Sequence, residues 1–236
     1  PTRSNNAGAT RFVIERQIGY PVTPIRTAQM GRADLSGFDV ILLPSPGFSG
    51  GGYKGVLGDN GVSRLKEWVR NGGTVVAIGG GAVTFLADEG TGLLATAREN
   101  LVSSDDTKKV DDPENGRVSG RILSTEDDYL KAIAPDENTP PPAQGVLLRA
   151  KLDLDHWLSA GIDQQVNALV TGSNVFSLLK LNQGRNVAVY LGPDEILASG
   201  FLWEGSVEQM AYKPLLMVQQ HGRGMAIGFT ADPNYR

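Results

Sequence analysis

The 236 residues carry 26 acidic and 22 basic side chains, a net charge of −4 with no basic run, which argues against a nucleic-acid backbone as main partner. With 40% apolar and 20% charged residues the chain can bury a core for one large or two small domains, and no apolar stretch approaches the ~18 residues needed to span a bilayer. Cysteine is absent, which excludes disulfides, thiolate metal sites and cysteine nucleophiles together.

In chain order, Phe12, Val13, Ile14 and Ile18 fall near helical spacing within residues 7–19, and Gly19 stops the segment. "YPVTPIRTAQM" (20–30) reads as an extended edge segment, because Pro21 and Pro24 cannot donate to a central ladder. "FDVILLPSP" (38–46) is a nearly continuous apolar run of the kind found in strands covered on both faces. A helix is predicted over "NGVSRLKEWVRNGG" (60–73), with Val62, Leu65, Trp68 and Val69 on one face and Gly72 at its end. "TVVAI" (74–78) is the next buried strand. Strand, helix and strand in this order make a βαβ unit, hence an open α/β sheet.

Residues 103–142 break the pattern: they hold ten of the 26 acidic residues and run into "NTPPPAQG" (138–145). An acidic loop excursion is expected there, the most mobile part of the chain, and its spacing does not match a calcium-binding EF-hand. From Gly145 onward the sequence is β-rich, with "GVLLRAKL", "VNALVTG", "NVFSLLKL", "NVAVYLG" and "ILASGFL" in succession. "KPLLMVQQHGRGMAIGFTADPNYR" then predicts two strands joined by a tight turn at 221–224. No internal repeat is present, so one domain with an elaborated C-terminal half is expected over 1–236. The chain begins at Pro1 without a signal-like segment, which reads as a mature form or a piece of something longer. "PTRSNN" (1–6) resembles the loop after a strand, so a further N-terminal strand is expected ahead of it.

The chemistry centres on "GGTVVAIGGGAVTFL" (72–86), where an apolar strand stops on Gly79, Gly80 and Gly81 and passes into another apolar segment. A nucleophile elbow needs small neighbours at such a turn. Gly79 accepts the elbow backbone but brings no attacking group. The turn can equally serve packing alone, mark a former pocket, or bind an anion through its N–H groups, although no P-loop or G-x-G-x-x-G pattern accompanies it.

"PGFSGGGYKG" (46–55) is a second glycine-rich loop, leaving the C-terminal end of the preceding strand, where open α/β sheets bind ligands. Tyr53 and Lys54 are its side chains able to hold a ligand, with Ser45 and Gly47 at its start. The two histidines, His156 and His221, are isolated and lack ligand spacing, so no metal and no cofactor is expected, and His156 suits a cap on a neighbouring turn. No G-x-S-x-G occurs.

These stretches resemble the class I glutamine amidotransferase-like superfamily, which includes the DJ-1/PfpI and ThuA-like groups. "FDVILLPSPG" is similar to its strand before the oxyanion-side loop, and "GGTVVAIGGGAVTFL" to its elbow strand and helix. The family's cysteine falls on Gly79, and its histidine after the last strand is replaced by "IGFTADPNYR". "LDLDHWLSAGI", "SGFLWEG" and "HGRGMAIGFTADPNYR" are similar to the amidotransferase-like domain C-terminal to M14-type zinc carboxypeptidases. The resemblance implies a flavodoxin-like α/β domain: an open, mostly parallel sheet, helices on both faces and a β-rich C-terminal half. It implies a catalytically silent accessory module of a secreted or periplasmic protein, packing on a peptidase domain of the same parent chain or binding a peptide or glycan. The alternative is a ThuA-like sugar-handling enzyme or hydrolase using Asp232, His156 or Ser45.

Overall fold

The computed structural model describes residues 2–47, 52–87, 90–100, 125 and 142–234. The acidic excursion, apart from Thr125 and Pro142, lies outside the described residues, as does much of the loop after Gly47.

Helix α1 (Ser4–Phe12) continues as a π-helical turn, Val13–Ile18, and stops at Gly19 as expected. The expected edge segment is corrected: residues 20–26 belong to no named element and join no ladder, and the last four residues of that segment form a short helix, α2 (Thr27–Met30). The expected βαβ unit is present as β1 (Val40–Leu43), α3 (Gly52–Arg70) and β2 (Thr74–Ile78), paired in parallel from Val40↔Thr74 to Leu43↔Ala77. The helix begins eight residues earlier than its apolar periodicity announced, because a non-helical kink at Gly58 joins a preceding turn to it. Helix α4 (Gly80–Leu86) leaves β2 directly.

The C-terminal half supplies β3 (Ala143–Leu152), β4 (Gln165–Gly172), β5 (Arg185–Tyr190), β6 (Leu197–Ser199), helix α5 (Glu204–Met210), β7 (Pro214–His221) and β8 (Gly224–Phe229). Strand order is β1-β2-β8-β7-β5-β3-β4, with β6 beside β3. The α/β architecture is as expected, and its parallel part is β1, β2 and β8; β8 joins β2 in parallel from Thr74↔Met225 to Ile78↔Phe229. The remaining pairings, those of the β-rich half, are antiparallel. The physical reason is the connections: β7 and β8 are joined by a two-residue turn between His221 and Gly224, which permits no parallel crossover.

One predicted strand is corrected. "NVFSLLKL" forms no named strand; it makes an isolated bridge, Phe176 to Arg98. Its Leu179 peptide group bonds instead to the Asn186 side chain, the N–H at 3.0 Å and the carbonyl at 2.8 Å, so an amide side chain takes the place of a neighbouring strand.

Strand alternation divides the core. Val75, Ala77, Met217 and Ala226 face one side and pack with Leu65 and Val69 of α3 and Val83 and Leu86 of α4. Val76, Leu216, Val218 and Ile227 face the other, with Met210 and Val207 of α5 and the aliphatics of β3 and β5. Helices therefore cover both faces.

Leu65 is 1% exposed at the centre of the first cluster. Leu65→Ala should lower unfolding free energy by about 2–5 kcal/mol in urea titrations. A loss well under ~1 kcal/mol would mean that α3 does not anchor the sheet.

Candidate functional site

The parallel register brings the C-terminal ends of β1, β2 and β8 to one level. Ser45 and Pro46 leave β1, Gly79 leaves β2, and Thr230 to Asp232 leave β8; all line one cavity of about 520 Å³. Its other wall comes from Ala143 and Gln144 of β3, Leu169–Gly172 of β4 and the 174–176 loop.

Gly79 is the floor of this cavity. Its N–H donates to the Phe229 carbonyl at 2.8 Å, closing the β2–β8 ladder, and its carbonyl accepts from Ala82 and Val83 at 3.0 and 3.1 Å, opening α4. Its φ of +85° and ψ of 156° belong to a region populated essentially by glycine. A Cβ built there would stand 2.5 Å from Ser45 Oγ, and one built on Gly81 3.0 Å from the Pro46 ring. The two glycine-rich stretches thus meet, as their placement at strand ends predicted. The turn has the strand–turn–helix form of a nucleophile elbow and no side chain at its apex.

Asp232 closes the far side. Asn6 Nδ2 donates to Asp232 Oδ2, and the Asn234 backbone and side-chain N–H groups donate to Asp232 Oδ1 at 2.9 and 2.7 Å. Asn234 also donates to Thr10 Oγ1 at 3.0 Å, and Thr10 donates to the Asn6 carbonyl at 2.8 Å. Asn6 and Thr10 are buried, so this network ties α1 to the segment after β8. On the opposite wall Lys213 pairs with Glu99 at 2.7 Å. The carboxylate and this ammonium are both engaged, and the rest of the polar lining includes the exposed Arg3 together with the neutral Ser45, Thr171, Asn174 and the glycine turn.

The predicted site residues divide. Ser45, Gly79, Gly80, Gly81 and Asp232 come together. Gly47 adjoins this cavity in sequence without lining it, and Lys54 is exposed on α3. Tyr53 turns into the core, its ring tilted against Phe85 with centroids 5.4 Å apart, and donates its hydroxyl to the Pro44 carbonyl at 2.6 Å. His156 caps the short helical turn Trp157–Ser159, its Nδ1 accepting from the Leu158 N–H at 3.2 Å, the capping role its isolation suggested. His221 Nε2 lies 2.6 Å from the Leu93 carbonyl. Among the described residues no group of three or more His, Asp or Glu side chains could hold a metal ion. Sequence reasoning missed Arg3, Asn6 and Asn174 in the lining; their one legible sign is a polar residue beside a loop or helix start.

The geometry can be set beside known proteins. No protein-family description matches the sequence, nor does any curated protein sequence. Among solved structures, a protein from Parabacteroides merdae described as ThuA-like aligns over 97% of this chain and 76% of its own, at 13% identity and TM-score 0.52. A second, from Bacteroides uniformis, aligns over 98% of this chain and 79% of its own, at 8% identity and TM-score 0.51. The chain has the fold of ThuA-like proteins. It also overlies a β-galactosidase from Bacillus circulans sp. alkalophilus over 83% of its length, at 10% identity and TM-score 0.38, and spans 19% of that enzyme.

Two predictions follow from the site's backbone and its buried phenols. Gly79→Ala should destabilise by about 1–3 kcal/mol in thermal unfolding, since alanine cannot hold this φ and ψ without strain. Unchanged stability would show the turn to be relaxed. Burial pushes the phenols of Tyr53 and Tyr190 above the ordinary tyrosine value, with a Thr230 hydrogen bond pulling Tyr190 partly back. A folded pKa above the unfolded one means that the stabilisation is complete below pH ~10 and lost as pH rises through the folded value. Alkaline titration followed by phenolate absorbance and circular dichroism should show these two phenols ionising together with unfolding; ionisation of both in a folded chain would contradict it.

Proposed function

We propose that this chain is a catalytically silent binding domain of the amidotransferase-like fold, whose cavity above Gly79 takes a short peptide or a glycan. The observation that carries the reading is the cavity itself: an elbow-shaped turn at three strand ends, floored by glycine and lined by neutral hydrogen-bonding groups, with Arg3 and the engaged Asp232 and Lys213 around them. A sugar or peptide backbone offers matching hydroxyls or amides and no net charge. Gly79 has no attacking atom, and residues 230–236 after β8 hold no histidine to serve as base. The sequence resemblance extends the proposal to context: an accessory module beside an M14-type zinc carboxypeptidase domain of the same parent chain, secreted or periplasmic.

A second reading has one observation in its favour. Ser45 and Asp232 both line the cavity, as a hydrolase or sugar-handling enzyme without cysteine would require. His156, the third group of that scheme, lies outside the lining and is committed to its cap.

Calorimetric titration with cello- and chito-oligosaccharides and with tetra-alanine distinguishes the two ligand classes. Asn174 is exposed in the lining, so Asn174→Ala should weaken binding about three- to tenfold at unchanged Tm. Absence of binding by every probe would overturn the binding reading. Appearance of cleaved probe in mass spectra after prolonged incubation would favour the hydrolase.

A further inference from the structure

β4 is an outer strand of the sheet. β3 pairs with one side of it from Ala143↔Gly172 to Lys151↔Gln165, and among the described residues no strand pairs with the other side. Its sequence, Gln-Val-Asn-Ala-Leu-Val-Thr-Gly, holds no charge and no proline. The bulge in its pairing, between Gln144 and Val146, lies in β3. Charges, prolines and bulges are the devices by which outer strands avoid further pairing. β4 has none of them over its 8 residues.

The ladder fixes which peptide groups are left over. The Leu152 N–H donates to the Gln164 carbonyl at 2.9 Å, and bonding residues alternate along an antiparallel strand. Val166, Ala168 and Val170 therefore turn their N–H and C=O groups towards β3. Arg149 agrees: its N–H goes to the Ile196 carbonyl at 2.7 Å, away from its register partner Asn167. Gln165, Asn167, Leu169 and Thr171 point their peptide groups outward, and among the described residues no backbone group bonds to them. The side chains alternate as well. Val166, Ala168 and Val170 pack on the second core cluster, the first two only half-buried at its margin. Gln165, Asn167 and Thr171 are exposed on the opposite face, beside a half-buried Leu169.

We propose that a second copy of this chain covers this edge, β4 pairing antiparallel with the β4 of its partner about a two-fold axis at Ala168. The strand itself selects that register. Antiparallel exchange needs outward residues to face outward residues, so an axis between two residues is ruled out. An axis at Ala168 sets Asn167 opposite the partner's Leu169 and Gln165 opposite the partner's Thr171. Every outward residue then exchanges both of its bonds, with none left over. An axis at Asn167 would set Thr171 opposite a residue before the strand, and one at Leu169 would set Gln165 opposite a residue after it. On the inner face the Ala168 register sets Val166 against the partner's Val170 and Ala168 against its own copy, which covers the half-buried margin of the core. The missing charges suit identical copies, because like charges directly opposite one another would repel. Thr171 also lines the cavity above Gly79, so the partner's Gln165 comes to stand beside that wall. The pairing does not depend on what that cavity holds.

Sedimentation velocity and light scattering on the full chain should give a dimer of about 50 kDa, twice the 25.1 kDa of one copy. Asn167→Pro removes an outward N–H and no bond to β3, so it should give a monomer with the parent's circular dichroism. Cross-linking tests the register. Ala168→Cys introduces the one thiol of a chain without cysteine and sets it opposite its own copy in a non-hydrogen-bonded pair. The Cα spacing of such a pair, about 4.5 Å, is within reach of a disulfide. Mild oxidation should link most of the Ala168→Cys chains into dimers. The two copies of Gln165→Cys would lie about 20 Å apart along the paired strands and should stay unlinked. A parent that is monomeric at every concentration would overturn the proposal, as would a dimer that survives Asn167→Pro or equal linking of the two cysteine variants. If Asn167→Pro fails to fold, the contrast between the cysteine variants decides alone.

Discussion

The last rung of the parallel ladder, Gly79 N–H to the Phe229 carbonyl at 2.8 Å, fixes where everything else at the cavity stands. It holds β2 and β8 in register to their final residues, so both chains must turn away at the same level. Because the Gly79 carbonyl simultaneously accepts from α4, the turn has no length to spare between strand and helix. That economy forces the unusual φ and brings Ser45 from the neighbouring strand to the edge of the space a side chain would fill. The cavity is what remains above three strand ends once the helix has been drawn in close.

The polar network on the opposite rim solves a different problem. A buried amide, Asn6, and a buried hydroxyl, Thr10, would each cost stability if left unpaired. Asp232 and Asn234 satisfy them, and in doing so engage the carboxylate nearest the glycine turn. The same side chain that sequence reasoning selects as a possible acid is thereby a positioning group for α1. Lys213, held by Glu99, is similarly occupied. The rim thus carries Arg3 and two engaged charges, Asp232 and Lys213, and the floor is glycine.

Much of this was legible from sequence where the signal was local. The βαβ unit announced itself because a continuous apolar run, an amphipathic helix and a second run are each complete within a few residues of one another. The β7–β8 hairpin did so through its glycine-flanked turn. What escaped was whatever depends on partners distant along the chain. Asn6 and Asp232 are 226 positions apart and neither is unusual in its own neighbourhood. "NVFSLLKL" has the composition of a strand, but the Asn186 side chain satisfies the Leu179 peptide group and ends the pairing. Tyr53 shows a related effect: a tyrosine in a glycine-rich loop suggests a ligand contact, and the helix that starts at Gly52 turns its ring inward towards Phe85.

The fastening of α1 to the segment after β8 has a mechanical consequence. Asn6 and Thr10 near one end of the described chain are clamped to Asp232 and Asn234 near the other. Tension applied across those two ends meets this small set of side-chain hydrogen bonds together with the Thr2–Pro46 bridge and the Arg3 N–H bond to the Ser45 carbonyl at 3.0 Å, which tie the same segment to the loop after β1. Since Arg3, Asn6 and Asp232 also line the cavity, a pull that opens the clamp also widens its mouth. The cavity mouth is therefore the place where a load on both ends of the described chain first meets the fold.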